Sequence, residues 1–401
     1  MNQTNLKTSA QRWRTRLLAT VFGLTAATTA ASAQDAAPVN NPPMAGPITG
    51  NPHPFSVDLP EWFGPAGGSL KIGGVLSGMA FYQDNPGGVF PGDKQSLLDV
   101  VDGQIFLNKN EGWFQWFIQA GNYTVHSLGV PYIKTSAYTP GTFGIVPQAY
   151  IKIATADNFS IQVGKLPTLI GYETTFSFQN ANVERGLLWG QENAVNQGVQ
   201  VNYSTGPLSL SVSLNDGFYS SRFNVISGLL SWTIDPNNIL AVAGGGKLSH
   251  TGYSRVFTNL AVNNQSIYNL MYTHIDGNWS IAPYLQYTSV PADPAVGFVA
   301  GSETYGAAVL TSYHFDENWA VAARAEYIKS EGNPAGPNLL YGQRSDAFSF
   351  TITPSYQWGV FFVRPEFSYV SAGSVTPGSG FGPFGLRTDQ TRAVLQTGIN
   401  F

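Results

Sequence analysis

From Leu70 to the last residue, apolar and polar side chains alternate in segments of about ten residues. Leu208, Leu210, Val212 and Leu214 interleave with Ser209, Ser211 and Ser213; Phe348, Phe350 and Ile352 interleave with Ser349, Thr351 and Thr353. A period of two with one apolar face is the signature of a half-exposed strand. Sixteen such segments can be marked, from 70–82 and 98–108 through 346–356 and 360–370 to 391–401. The connections between them alternate as well. Short ones fall at 109–112, 155–158, 205–207, 236–238, 276–278, 316–318 and 357–359, with long ones between, the longest being 167–195. Short turns on one rim and long loops on the other predict an all-β transmembrane antiparallel β-barrel of about 16 strands. An even strand number puts both ends of the barrel on the short-turn, periplasmic side.

The strand charges sharpen this reading. Lys71, Asp102, Lys152, Arg324, Glu326, Arg364, Glu366 and Arg392 all fall on the parity opposite to the apolar stripe. A lipid-facing wall requires that, because Lys or Arg at mid-bilayer costs roughly 2–4 kcal/mol. A soluble sandwich or propeller would carry charge on its solvent face. Trp279 and Trp319 open strands after short turns, and Tyr287 and Tyr327 lie near the far ends, the spacing of two interfacial girdles. Pro283, Pro354 and Pro365 fall inside these segments, and a closed barrel has no free edge to host proline; they count against the strand boundaries unless bulges or rim positions absorb them.

Composition narrows the class. The 401 residues include 11% charged, 13% aromatic and no cysteine. The aromatic content excludes disorder of the whole chain, and the missing cysteine excludes a disulfide framework or thiolate metal site. Lys7, Arg12, Arg14 and Arg16 precede a short apolar stretch that ends in Ala31-Ser32-Ala33. That pattern reads as a secretory signal peptide over 1–33, followed by a Pro/Ala-rich periplasmic linker over 34–68 and the barrel over 69–401. Losing four cations and no acid would take the formal net charge from −4 to −8, which argues against a nucleic-acid partner.

An internal repeat carries charge. Asn278-Trp279 to Tyr287, Asn318-Trp319 to Tyr327 and Phe361 to Phe367 align so that Tyr284, Arg324 and Arg364 are equivalent, as are Gln286, Glu326 and Glu366. Arg324 and Arg364 would sit two strands apart, roughly 10 Å, with Glu326 and Glu366 holding them. The expected pore lining is Arg324, Glu326, Arg364, Glu366, Arg392, Lys152, Tyr284 and Gln286. Loop 167–195 lies between the fifth and sixth barrel strands and carries Glu173, Glu184, Arg185 and Glu192; folded inward, it would form a constriction whose carboxylates oppose the arginine wall. The competing reading of the same charges is a salt-bridge network that stiffens the wall. The five histidines are scattered and no hydrolase, metal or phosphate motif is present, so no catalytic residue, metal or cofactor is expected.

Gly164-Lys165-Leu166-Pro167-Thr168-Leu169-Ile170-Gly171-Tyr172-Glu173, with Asn180 to Gly186 and Val363-Arg364-Pro365-Glu366-Phe367, resembles the OmpL-like beta-barrel porin family over roughly 70–401. The resemblance implies an outer-membrane barrel of a Gram-negative bacterium and a channel, and names no solute. Phe401, closing an apolar parity that runs through Leu395 and Ile399, resembles the assembly signal read by barrel-assembly machinery. The expected function is passive diffusion of small hydrophilic solutes and ions, with outer-membrane lipid as surroundings and a homotrimer as the common assembly of general porins. The first alternative is a carbohydrate-type selective porin, with Tyr284, Trp189 and Phe178 stacking on sugar faces. The second is an adhesin or surface enzyme, which a plugged lumen would favour.

Overall fold

The computed structural model describes residues 54–401 apart from Val89 and Pro91; the segment read as a signal peptide and most of that read as a linker lie outside these residues. The alternating segments form strands almost where the pattern puts them. In chain order they are β1 (Phe55–Leu59), β2 (Gly68–Gln83), β3 (Ser96–Lys109), β4 (Phe114–Tyr123), β5 (Gln148–Ala156), β6 (Phe159–Pro167), β7 (Val195–Thr205) and β8 (Leu208–Asn215). They continue as β9 (Val225–Asp235), β10 (Asn238–Lys247), β11 (Ser266–Asp276), β12 (Trp279–Val290), β13 (Ser302–His314), β14 (Trp319–Gly332), β15 (Asp346–Trp358), β16 (Phe361–Gly373) and β17 (Asp389–Asn400). From β2 onward each strand pairs antiparallel with the next, and β17 pairs with β2, from Asn400 opposite Val75 to Arg392 opposite Gln83. The result is a closed barrel of sixteen strands.

Parity decides which way each side chain points. Leu208, Leu210, Val212, Leu214, Phe348 and Phe350 are exposed on the outer face, while Ser211, Ser213, Ser349 and Thr351 are buried inside. Ring pairs mark both belts. Trp279 meets Tyr313 and Trp319 meets Tyr356 at 4.7 Å near the short turns, and Tyr287 meets Tyr305 at 5.1 Å near the long loops.

The three strand prolines are absorbed by gaps in single ladders. Pro283 is opposite Val309 on β13, and the β11 pairing skips it, resuming from Met271–Tyr284 to His274–Ile281. Pro354 and Pro365 are opposite one another: the β15–β16 ladder stops at Ile352–Phe367 and resumes at Tyr356–Val363. Both missing N–H groups thus fall in one interstrand gap, while the outer pairings of each proline with Val321 and Leu395 are kept. The objection from proline weighs against one rung, not against closure.

The segment read as a linker ends in structure of its own. β1 pairs with Gly68–Ile72 of β2, beside the place where β17 runs out. Phe401 takes that corner: its backbone exchanges hydrogen bonds with Gly74 in both directions (2.8 and 2.9 Å). A side chain at Gly74 would stand 2.9 Å from the Phe401 ring, so glycine there lets the last residue lie flat on the wall. Phe55, Val57 and Leu59 do alternate with Ser56 and Asp58, but five residues are too short a run to stand out in a Pro- and Asn-rich segment.

Candidate functional site: a loop clamped to one wall

Loop 168–194 turns into the barrel. Glu184 and Arg185 are fully buried, and Glu173 and Glu192 nearly so. The internal repeat is the rail that holds the loop. On β16, the Glu366 carboxylate accepts the backbone N–H groups of Val183 (2.6 Å) and Glu184 (2.9 Å). On β14, the equivalent Glu326 accepts those of Leu187 (2.9 Å) and Leu188 (3.3 Å). On β12, Gln286 donates to the Leu188 carbonyl (3.0 Å) and the Tyr284 hydroxyl donates to Glu192. The loop therefore advances round the wall as the repeat does, from β16 to β14 to β12.

The arginines hold what the carboxylates do not. Arg364 donates to the carbonyls of Ser177 (3.0 Å), Asn180 (2.9 Å) and Ala181 (3.2 Å). Arg324 donates to the Glu184 carbonyl and pairs with Glu173 at 2.6 Å and Glu326 at 3.3 Å. Arg392 pairs with Glu184 at 2.8 Å and donates to the carbonyls of Ser127 and Val130. These last two belong to a second inward loop, 124–147, with a short helix at Thr135–Gly141. The two loops are joined through backbone bonds between Arg185 and the residues His126 and Leu128 (3.0 and 2.9 Å).

This geometry corrects the expected eyelet. Glu173 and Glu184 do not face the arginines across water; they touch them, because charges this deeply buried persist only when paired. Arg185 turns back on its own loop, to the carbonyls of Val183 and Thr175. Lys152 is not part of the cluster: it is half-buried on the far wall, opposite Gln115 and Gln162. Trp189, Phe178 and Tyr284 are buried in loop packing, with Phe178 against Phe106 (5.4 Å) and Phe176 (5.8 Å), so they do not form a free stacking track. The salt-bridge reading describes these contacts better than the open-wall reading.

Sequence reasoning passed over three parts of the interior. The first is loop 124–147, whose aromatic density (Tyr132, Tyr138, Phe143) was its signal. His126 there is buried with no hydrogen-bond partner on either ring nitrogen; burial, and then the charges of Arg185, Arg392 and Arg364, hold it well below its ordinary pKa, hence neutral. The second is what Asp102 touches, its inward parity having been read: a bulge after Ser77 aims it inward, where it accepts hydrogen bonds from Ser77 (2.8 Å) and Ser177 (3.1 Å). The third is the amide-rich wall that also carries Lys152: Gln104–Gln119, Gln162–Gln200, Asn202–Ser211 and Asn215–Ser227 bond in pairs across neighbouring strands. Glutamine recurring at inward parity was the readable sign.

Glu192 is the one loop carboxyl paired with no cation. Gly171 lies so close to its Oε2 that a side chain there would collide at 1.6 Å, and that oxygen has no hydrogen-bond partner. Burial first, then the nearby charges of Glu173 and Glu326, push its pKa up to about 8, against the Tyr284 hydrogen bond. Between the ordinary carboxyl value and about 8 the folded chain holds a proton that the unfolded chain has lost. Stability must then fall as pH rises through that window, by on the order of a few kcal/mol in all. The guanidinium midpoint is expected to be higher at pH 5 than at pH 9, and Glu192→Gln should flatten that dependence; an equal slope in both proteins would remove Glu192 as the cause.

A closed sixteen-strand barrel with a loop folded against its inner wall defines an outer-membrane porin by class. The chain belongs to the family described as "Putative beta-barrel porin-2, OmpL-like", which matches residues 69–401. No curated protein matches the chain. Among solved structures it is similar to an anion-selective porin from Comamonas acidovorans (11% identity, 83% of this chain and 99% of that one, TM-score 0.59). It is also similar to OmpF of Salmonella typhi in complex with daunomycin (13%, 83% and 98%, TM-score 0.55) and to a trimer form of OmpT of Vibrio cholerae (11%, 83% and 99%, TM-score 0.55). At these identities the likeness is one of fold.

Proposed function

We propose that this outer-membrane porin passes small hydrophilic solutes along a path bounded by the clamped loop on one side and the amide wall on the other, with no reaction step. The supporting observation is a polar mouth: Gln115, Lys152, Asn202, Ser209, Ser231, His314 and Gln357 face inward and are partly exposed on the short-turn side. Their side chains are polar, so water-soluble molecules meet no apolar barrier there. The charges of the clamp are largely compensated in place and add little net field to the path. Lys152 is the cation of this group. Steady current steps proportional to salt are expected from the purified protein in a planar bilayer, and a correctly folded barrel that stays silent would refute the channel. Lys152→Glu should move the reversal potential toward cations by several millivolts; no movement would place the path away from β5. Small solutes, surrounding lipid and a homotrimer are the partners of this reading, and Phe401 is its assembly signal. Light scattering on the detergent-extracted protein tests the trimer.

A further inference from the structure

The chain just before the barrel carries an apolar surface that the pore does not use. β1 repeats the wall's alternation: Phe55 and Val57 lie opposite Ile72 and Leu70 on the outer parity, and Ser56 and Asp58 opposite Lys71 and Ser69 on the inner. The Phe55 ring meets the outward Phe401 ring at 5.6 Å. From Leu59 the chain passes the rim into a short 3-10 helix, Glu61–Ala66, with a kink at Gly64 (φ 57°). Few residues other than glycine accept that angle. The helix lies on the outside of the barrel. Its Ala66 carbonyl accepts a hydrogen bond from the indole N–H of Trp116 (3.2 Å), and Trp116 shares the outer parity of β4 with Phe114 and Ile118. Here Trp62 is 80% exposed and Phe63 38%, their rings 4.2 Å apart, and nearby Trp113 is 57% exposed.

An exposed Trp–Phe pair is expensive to leave in water, yet suits the headgroup boundary of a bilayer, where the indole N–H stays wet while the ring is sheltered. Through Ala66 the helix is tied to Trp116 near the short turn between β3 and β4, and Trp279, Trp319 and Trp358 stand at strand ends on that same short-turn rim. We infer that residues 55–66 form a foot that rests in the periplasmic leaflet of the outer membrane, with Trp62 and Phe63 inserted at the phospholipid headgroup level. The foot widens the lipid contact of the barrel beside the β17–β2 closure. This inference is independent of conductance.

The native chain has no cysteine, so single labels can be placed directly. Trp62→Cys and, separately, Phe63→Cys would carry an environment-sensitive fluorophore in barrels refolded into phosphatidylethanolamine–phosphatidylglycerol vesicles. Val212→Cys reports the lipid face and Asn158→Cys a wet turn. Shallow nitroxide lipids are expected to quench labels at 62 and 63 at least threefold more than the label at 158, with iodide quenching correspondingly reduced. Equal iodide quenching at 62, 63 and 158, without lipid quenching, would overturn the inference. So would protection from both quenchers together with cross-linking between copies, which would mean that a second chain covers the patch. Heat-modifiable mobility on gels confirms that each labelled barrel is folded before it is read.

Discussion

Arg324→Ala is expected to weaken the folded barrel by about 3–5 kcal/mol, the cost of leaving a buried ion partner alone. Two carboxylates lose their cation together, Glu173 at 2.6 Å and Glu326 at 3.3 Å, and the Glu184 carbonyl loses a donor. The denaturant midpoint in detergent, read by the gel shift of the folded form, measures the loss. Adding Glu173→Ala should restore part of it, because one orphaned charge leaves with the partner, and a double-mutant cycle should return a coupling of about 0.5–3 kcal/mol. A single variant as stable as the wild type would show that the pair stands in water and that the clamp does not exist as described.

Glu366→Ala should act on current more than on stability. The substitution removes the acceptor of two neighbouring loop N–H groups and of the Thr353 hydroxyl. Hydrogen bonds to a charged group are worth about 1.5–3 kcal/mol each, so losing both loop contacts should raise the share of molecules with the loop detached near residue 183 by at least about 100-fold. Single-channel records should then show excursions to a larger conductance level that the wild type visits rarely. Quiet records indistinguishable from wild type would mean that the arginine contacts at Ser177, Asn180 and Ala181 suffice without the carboxylate.

The wall was legible from the chain because lipid and lumen impose opposite demands on alternate residues, and sixteen strands repeat that demand. The ends of β9 (Val225–Asp235) coincide with the period itself. The interior was harder. Arg324, Glu326, Arg364 and Glu366 could be placed inside by parity, but parity does not say what a side chain touches. Their partners are mostly peptide groups of the loop, at Val183, Leu187 and Asn180, and a backbone N–H leaves no trace in residue identity. For the same reason the carboxylates of Glu173 and Glu184 read as an opposing face when they are partners. The equivalence of Gln286, Glu326 and Glu366 was visible as a repeat; that all three reach one loop needed the path of that loop.

The facing prolines have a bearing on how the barrel comes together. A hairpin normally zips from its turn outward, each rung of backbone bonds bringing the next into reach. Zipping of β15 onto β16 from the turn at 359–360 meets its interruption only a few residues in, at Pro354 and Pro365. Across that interruption, the Thr353 hydroxyl binds Glu366, and Asn182 of the loop binds Thr353 at 2.7 Å. The stitch that the backbone omits is made by side chains, one of them on a segment synthesised about 170 residues earlier. Late hairpin and early loop thus complete one another in the folded wall, and the sheet there is sewn from the inside.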